Sequence, residues 1–158
     1  IDTAGRFSII WSTDGTYDPG VTYFSQQVST GNTFTNGTFK GLRFLFDVDN
    51  GASGRSFSVH HRDDDDIESS SGWTQLGSTS TTAGTTTIHN STAVLDVGAC
   101  NNGGHVQGSF SKAVLLNGIN GTVVASPDFS SPTDARLRDA QGNIWTINGS
   151  AWAWKDVA

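Results

Sequence analysis

Alternation of apolar and other residues within short segments is the feature that most limits the fold of this chain. In residues 39–48, Leu42, Phe44 and Phe46 fall on one face of an extended strand, and the residues between them fall on the other. Outside the C-terminal stretch, no period of 3.6 residues persists for three helical turns. The sequence therefore predicts an all-β fold, with antiparallel sheets packed as a two-sheet jelly-roll sandwich.

The predicted strands are short, rich in β-branched and aromatic residues, and bounded by turn residues. The Ser- and Thr-rich stretch 78–87 is interpreted as two edge strands joined by Ala83 and Gly84, because Ser and Thr suit solvent-facing strand positions. The predicted strands span 6–11, 21–29, 39–48, 55–62, 73–78, 85–89, 93–98, 106–116 and 123–129.

The C-terminal stretch predicts a β-hairpin. Residues 135–139 and 143–148 have strand character, and they flank the turn residues 140–142. A short helix capped by Thr133 or Asp134 is the alternative for this stretch.

Length and composition limit the classes of protein that the chain can belong to. Its 158 residues suit one domain spanning 1–158. A net charge of −6 disfavours binding along nucleic-acid phosphates. No apolar run reaches the roughly 18 residues of a membrane-spanning helix, so we expect neither a nucleic-acid nor a membrane partner. The single cysteine, Cys100, excludes an internal disulfide and a multi-cysteine zinc site.

The acidic residues are almost all aspartate, because Glu68 is the only glutamate among the 15 acidic side chains. Retaining glycosidases place two carboxylates about 5 Å apart, and a pair of glutamates cannot be built from this chain alone. No nucleophile elbow of the G-x-S-x-G type occurs in a strand–turn–helix setting. The sequence therefore predicts a binding or structural protein, without a catalytic residue, rather than an enzyme.

Five segments taken in order resemble a LamG-like, concanavalin A-like jelly-roll module of bacteriophage virion proteins, especially of phages with high-GC Gram-positive hosts. The resemblance covers most of the chain from about Arg6 onward. The segments are DVDNGASGRSFSV (47–59), GWTQLG with TTAGTTTI (72–88), LDVGA (95–99), NGINGTVVASPDFSSP (117–132) and DAQGNIWTINGSAW (139–152).

This resemblance implies a non-enzymatic module on the virion surface, in a head fibre, a capsid decoration or a tail-fibre adhesin. Its implied partners are other virion proteins, copies of itself in a homo-oligomer such as a trimer, and host-surface glycans. Complete modules have further strands before the segment matching 6–14, so we expect the chain to be the C-terminal part of a longer module, or to receive those strands from elsewhere. The alternative is a secreted bacterial carbohydrate-binding module of concanavalin A-like fold.

The run Asp63–Asp66 followed by Glu68 is the densest cluster of charge in the sequence. Carboxylates alternating along a loop supply the oxygen ligands that Ca²⁺ prefers, and LamG-like folds often carry Ca²⁺ on a loop rim. Asp64, Asp66 and Glu68 are therefore candidate calcium ligands. The alternative is a solvated loop, in which the preceding His-His-Arg at 60–62 pairs with the acidic run.

The five tryptophans include three with a candidate role. Trp73 follows the acidic loop, where an exposed indole could stack on a sugar ring while His61 and Asp63 bind hydroxyl groups. Packing inside the fold is the alternative for Trp73. Trp152 and Trp154 share one face of a predicted strand, and we expect that face to be buried or to form an interface with copies or other virion proteins.

Overall fold

The computed structural model describes residues 6–9, 11–15, 24–27, 40–90, 92, 95–100, 104–105, 110–130 and 136–147. Within these ranges the chain forms strands joined by turns, every pair of strands is antiparallel, and no helix is present. The all-β, antiparallel fold class is thereby confirmed. No helix able to cross a membrane is found in these ranges. The strands are β1 Arg6–Ile9, β2 Phe24–Gln27, β3 Gly41–Asp47, β4 Gly54–Arg62, β5 Thr74–Ala83, β6 Ala99–Cys100, β7 Gly104–His105, β8 Leu115–Asn117, β9 Thr122–Ala125, β10 Arg136–Arg138 and β11 Ile144–Thr146.

The described residues fall into two compact units. The first contains the residues up to Leu95 together with Gly118–Asn120, and the second contains Asp96–Asn117 and the residues from Gly121 onward. The first unit holds the β1–β2 pair and a three-stranded sheet in the order β3-β4-β5. The second holds three two-stranded ladders, which are β6–β7, β8–β9 and β10–β11.

The apolar face of the three-stranded sheet forms the core of the first unit. Phe46 lies opposite Phe57 across β3 and β4, and Val59 lies opposite Leu76 across β4 and β5. Phe57, Val59 and Leu76 are buried and cluster with Trp11, while Phe46 packs against the cluster from its edge. This is the face predicted from the alternation in 39–48. Burying each large side chain contributes about 1.5–3 kcal/mol relative to leaving it exposed.

The turn between β3 and β4 is held by short side-chain to backbone hydrogen bonds. Asp47 and Asp49 each accept a hydrogen bond from the backbone N–H two residues further on. Asn50 does the same for Ala52, and its own N–H donates to the carbonyl of Gly54 at 2.9 Å. Asp and Asn favour such turns because their short side chains reach the local backbone.

The structure corrects the prediction of two edge strands within 78–87. β5 continues unbroken to Ala83, which pairs with Gly54, and residues 85–89 form no strand. Gly84 ends β5 because its φ of +85° is unfavourable for other residues, and its N–H donates to the carbonyl of Ser53. Residues 78–82 are all Ser or Thr, so no change between apolar and polar residues marks the end of the strand in the sequence.

Two other predicted strands, 93–98 and 106–116, also differ from the prediction. Residues 95–98 form no strand, and Gly98 has a φ of +81° that breaks extended backbone. Of the predicted strand 106–116, residues 106–109 lie outside the described ranges, and 110–114 contribute one isolated bridge between Lys112 and Asp128.

The C-terminal hairpin is confirmed, because β10 and β11 pair in antiparallel fashion around the turn at 139–143. The alternative of a helix is wrong for 136–138, which are strand.

One buried carboxylate, that of Asp139, organises this hairpin. Its Oδ1 accepts hydrogen bonds from the backbone N–H groups of Gln141 and Asn143 at 3.0 and 2.8 Å. Its Oδ2 accepts from the Ser126 N–H, the Asn143 amide and the Trp145 indole at 3.1, 2.9 and 2.9 Å. Burial alone would raise the pKa of Asp139, but the hydrogen bonds from Asn143, Trp145 and Ser126 outweigh it and hold that pKa well below its ordinary value. The ionised carboxylate therefore stabilises the fold.

We expect Asp139→Asn to lower Tm at neutral pH, because the amide keeps the shape of the side chain but has one acceptor oxygen and no charge. A group with a lowered pKa contributes stability above its unfolded pKa, about 3.9 for Asp, and loses that contribution as the pH falls. The Tm difference between parent and variant should therefore narrow below about pH 4. Thermal unfolding over a pH series measures it, with the exposed Asp65→Asn as a control that leaves Tm unchanged. A Tm deficit that stays constant with pH would contradict the role given to the charge.

Candidate functional site

The face of the three-stranded sheet opposite the core carries a group of polar and aromatic side chains. Arg43 on β3 lies opposite His60 on β4, which lies opposite Gln75 on β5, so these three residues form one row across the sheet. Arg62 stands two positions from His60 on the same face, and Trp73 immediately precedes β5 beside it. We call these five residues the Arg43–Trp73 face.

Trp73 is fixed by one hydrogen bond and two charged neighbours. Its indole Nε1 donates to the carbonyl of Ser69 at 2.8 Å. The guanidinium carbons of Arg43 and Arg62 lie 5.8 and 5.3 Å from the centre of its ring. At these distances the cations are attracted to the π face, and each such contact contributes about 0.5–1 kcal/mol at an exposed site. The alternative that Trp73 packs within the fold therefore has direct support, although the side chain stays partly exposed.

Arg62 anchors the acidic loop that follows β4. Its guanidinium is buried, donates to Asp64 and to the carbonyl of Ser71, and lies 3.6 Å from Asp66. The hydrogen bond with Arg62 holds the pKa of Asp64 below its ordinary value. Gly41 leaves room for this arrangement, since a Cβ there would lie 2.6 Å from the Cγ of Arg62. Of the predicted pairing of the His-His-Arg segment with the acidic run, the structure confirms the part made by Arg62, whereas His60 lies opposite Arg43 and pairs with none of the described aspartates.

Asp63 lies outside this arrangement and pairs with a different cation. Its Oδ1 lies 2.6 Å from Lys40 Nζ and 3.6 Å from His61 Nδ1. The hydrogen bond with Lys40 is the main reason that the pKa of Asp63 is lowered. His61 is on the opposite face of the sheet from Trp73, because successive strand residues alternate. The three residues predicted to bind a ligand together, Trp73, His61 and Asp63, are thus not brought into one site.

The candidate calcium ligands do not converge in the structure. Asp64 and Asp66 face the guanidinium of Arg62, and Glu68 is exposed. Among the described residues, no group of three or more His, Cys, Asp or Glu side chains is arranged to hold a metal ion. The calcium site stays a prediction from the sequence. Trp152 and Trp154, the predicted interface residues, lie outside the described ranges.

Arg43 is the residue of this face that sequence reasoning missed. Its Nη2 donates to Asn120 Oδ1 at 2.5 Å, and within the described part of the chain no carboxylate pairs with it. Its Nε and the Nδ1 of His60 are buried without a hydrogen-bond partner there. Burial, and then the charge of Arg43, lower the pKa of His60. A partly buried cation without an acidic partner, in a chain of net charge −6, marks this face as a place where an acceptor-rich ligand can bind.

Comparison with known proteins gives no family for this chain: no family model, no curated protein and no solved structure matches it.

We expect Arg62→Gln to loosen the loop 63–73, because it leaves Asp64 and Asp66 without their cation. Amide hydrogen exchange in this loop should accelerate by about tenfold or more, while exchange in β8–β11 stays unchanged. Lys40→Gln is the matched control, since it removes an ion pair to the exposed Asp63 of the same loop, and solvent screens such a pair so that it contributes little. Equal exchange in the parent and in Arg62→Gln would show that Arg62 does not hold the loop.

Calcium binding by the acidic loop can be tested directly. Because Arg62 already neutralises Asp64 and Asp66, we expect millimolar Ca²⁺ to raise Tm by less than about 2 °C. A larger rise that is lost in the double variant Asp64→Ala, Asp66→Ala would establish a calcium site in this loop.

Proposed function

We propose that this chain is a non-enzymatic surface module of a bacteriophage virion, with a two-sheet jelly-roll fold. Its place would be a head fibre, a capsid decoration or a tail-fibre adhesin, where it packs on other virion proteins and on copies of itself, such as in a trimer. Support comes from the resemblance of five ordered segments. Two of them fall on well-defined structural units: 47–59 is the β3–β4 turn with part of β4, and the described part of 139–152 contains the Asp139-centred turn and β11.

A binding role rather than a catalytic one is supported by the exposure of Glu68 and by the hydrogen bonds and ion pairs that engage the neighbouring aspartates and Asp139. Glu68, the only glutamate, is exposed on a loop. The neighbouring Asp64 and Asp66 are paired with Arg62, and Asp139 is occupied by five hydrogen bonds. Glycoside hydrolysis needs one carboxyl group as acid and a second as nucleophile or base. We therefore propose that the module releases no product from a glycan.

The observation that carries a glycan-binding role is the Arg43–Trp73 face. An indole beside the guanidinium of Arg43 offers an apolar ring for the face of a sugar and N–H donors for its hydroxyl oxygens. Gln75, exposed on the neighbouring strand, adds an amide that both donates and accepts hydrogen bonds. We propose that host-surface glycans bind on this face, with Trp73 as the stacking residue.

The alternative is a secreted bacterial carbohydrate-binding module of concanavalin A-like fold, and the same face supports it. The two proposals differ in the partner, because a virion module assembles with other structural proteins of a particle whereas a secreted module acts alone or joined to an enzyme. Recovery of the chain from purified virions distinguishes them.

We expect the chain to bind at least one preparation in a panel of bacterial surface polysaccharides and cell-wall fragments, including those of high-GC Gram-positive bacteria. Trp73→Ala should weaken that binding by about tenfold or more in calorimetry, because a buried aromatic contact is lost. Arg138→Gln, which changes an exposed arginine of β10 in the second unit, is the control and should bind as the parent does.

Two outcomes would contradict the proposal. One is binding that Trp73→Ala leaves unchanged, or no binding to any member of the panel. The other is release of reducing sugar above a heat-inactivated control, which would establish an enzyme.

A further inference from the structure

Asn-Gly pairs are unusually frequent in this sequence, and the structure describes three of them, at Asn50, Asn117 and Asn120. In such a pair the backbone nitrogen of glycine can attack the side-chain amide carbon of asparagine. Glycine presents no Cβ to hinder the approach and moves freely into the required conformation. Whether a pair reacts therefore depends on how firmly the fold holds the attacking nitrogen and the amide.

The pair at Asn50 is held on both sides. The Gly51 N–H donates to Asp49 Oδ1 at 3.2 Å, and Asn50 Oδ1 accepts from the Ala52 N–H at 3.0 Å. Attack would require the Gly51 N–H to leave Asp49, whereas the Ala52 N–H at Oδ1 is a neutral donor that stabilises developing charge on that oxygen less than a guanidinium does. The pair at Asn117 is restrained differently, because Asn117 is part of β8 and pairs with Thr122 of β9.

The Asn-Gly pair at Asn120 differs from these two, because its glycine nitrogen is held less firmly and its amide oxygen contacts a cation. Asn120 is exposed in the turn between β8 and β9, with a φ of +56°. Among the described residues, none accepts a hydrogen bond from the Gly121 N–H. Arg43 Nη2 donates to Asn120 Oδ1 at 2.5 Å. Negative charge builds on this oxygen when the amide carbon is attacked, so a guanidinium donor placed there lowers the barrier.

We propose that Asn120 is a site of spontaneous deamidation that Arg43 promotes. The Gly121 nitrogen gives its proton to solvent and forms a bond to Asn120 Cγ. The bond from Cγ to the amide nitrogen breaks, and that nitrogen takes a proton from solvent and leaves as ammonia. Water then opens the cyclic imide to aspartate or isoaspartate, so one water is consumed for each ammonia released.

The product changes the charge beside the Arg43–Trp73 face. A carboxylate at position 120 would convert a hydrogen bond between Arg43 and a neutral amide into an ion pair, and charge-assisted hydrogen bonds are roughly twice as strong as neutral ones. The guanidinium that flanks Trp73 would then be neutralised. This inference rests on the contact between Arg43 and Asn120, and it stands whether or not the face binds a glycan.

Ageing of the folded full-length chain at mildly alkaline pH, followed by peptide mapping with mass spectrometry, tests the proposal. Deamidation adds about 1 Da to the peptide concerned. We expect Asn120 to react at least about fivefold faster than Asn50 and Asn117 in the folded chain, and all three to react at similar rates in urea, where the contact with Arg43 is lost.

The variant Arg43→Gln should slow Asn120 by about threefold or more and leave Asn50 and Asn117 unchanged, because the cationic donor at Oδ1 is removed. Circular dichroism establishes that the variant is folded. Gly121→Ala, which leaves Arg43 in place, should also slow Asn120, and the comparison of Asn120 with Asn117 in the folded parent keeps the proposal testable if Arg43→Gln does not fold. The proposal is overturned if folded Asn120 reacts no faster than Asn117, or if a folded Arg43→Gln chain deamidates at the parent rate.

Discussion

A buried guanidinium needs partners, and this requirement at Arg62 shapes much of the first unit. Taking a charge out of water costs several kcal/mol unless it is paired and hydrogen-bonded. The acidic loop meets that requirement, because Asp64 and Asp66 supply charge and the carbonyl of Ser71 supplies a further acceptor. Consecutive aspartates that would repel one another in open loop thus become part of the structure. The loop in turn places the carbonyl of Ser69 where it accepts a hydrogen bond from the indole N–H of Trp73.

The second unit also contains a buried charge that is stabilised by hydrogen bonds, but this charge is negative. There the buried charge is the carboxylate of Asp139, and its partners are neutral N–H groups of the hairpin turn and of Ser126. Pro127, which follows Ser126, has no N–H to continue the ladder, so β9 ends where the carboxylate takes over the hydrogen bonding. In the first unit, Arg62 links β4 to the acidic loop that follows it. In the second unit, Asp139 links the turn between β10 and β11 to Ser126, which follows β9.

The sequence was sufficient to predict the parts of the fold that rest on local alternation. Phe46 and Phe57 face the core as their spacing requires, and the C-terminal hairpin forms around its turn residues. It was not sufficient where partners come from elsewhere in the chain. Arg43 has an ordinary polar position in β3, and its relation to Trp73 and Asn120 depends on strand register and on a distant turn. The Asp139 network likewise joins residues whose proximity no local pattern specifies. The sequence accordingly predicted Trp73 as a member of the candidate site and Arg62 as a partner of the acidic run, but it gave Arg43 no role.

The irregular pairing between β4 and β5 has a consequence for whether a further strand can add to the edge of this sheet. Three residues of β5 lie between Leu76 and Ser80, whereas Val59 and Phe57, their partners on β4, are separated by one. β5 is ten residues long and contains neither charge nor proline, and such an edge would ordinarily invite another strand to add to it. The bulge, with Gly77 at a φ of +66°, interrupts the regular spacing of donors and acceptors along that edge. A second chain could follow it for only a few residues before losing register, so the bulge limits strand addition along this edge.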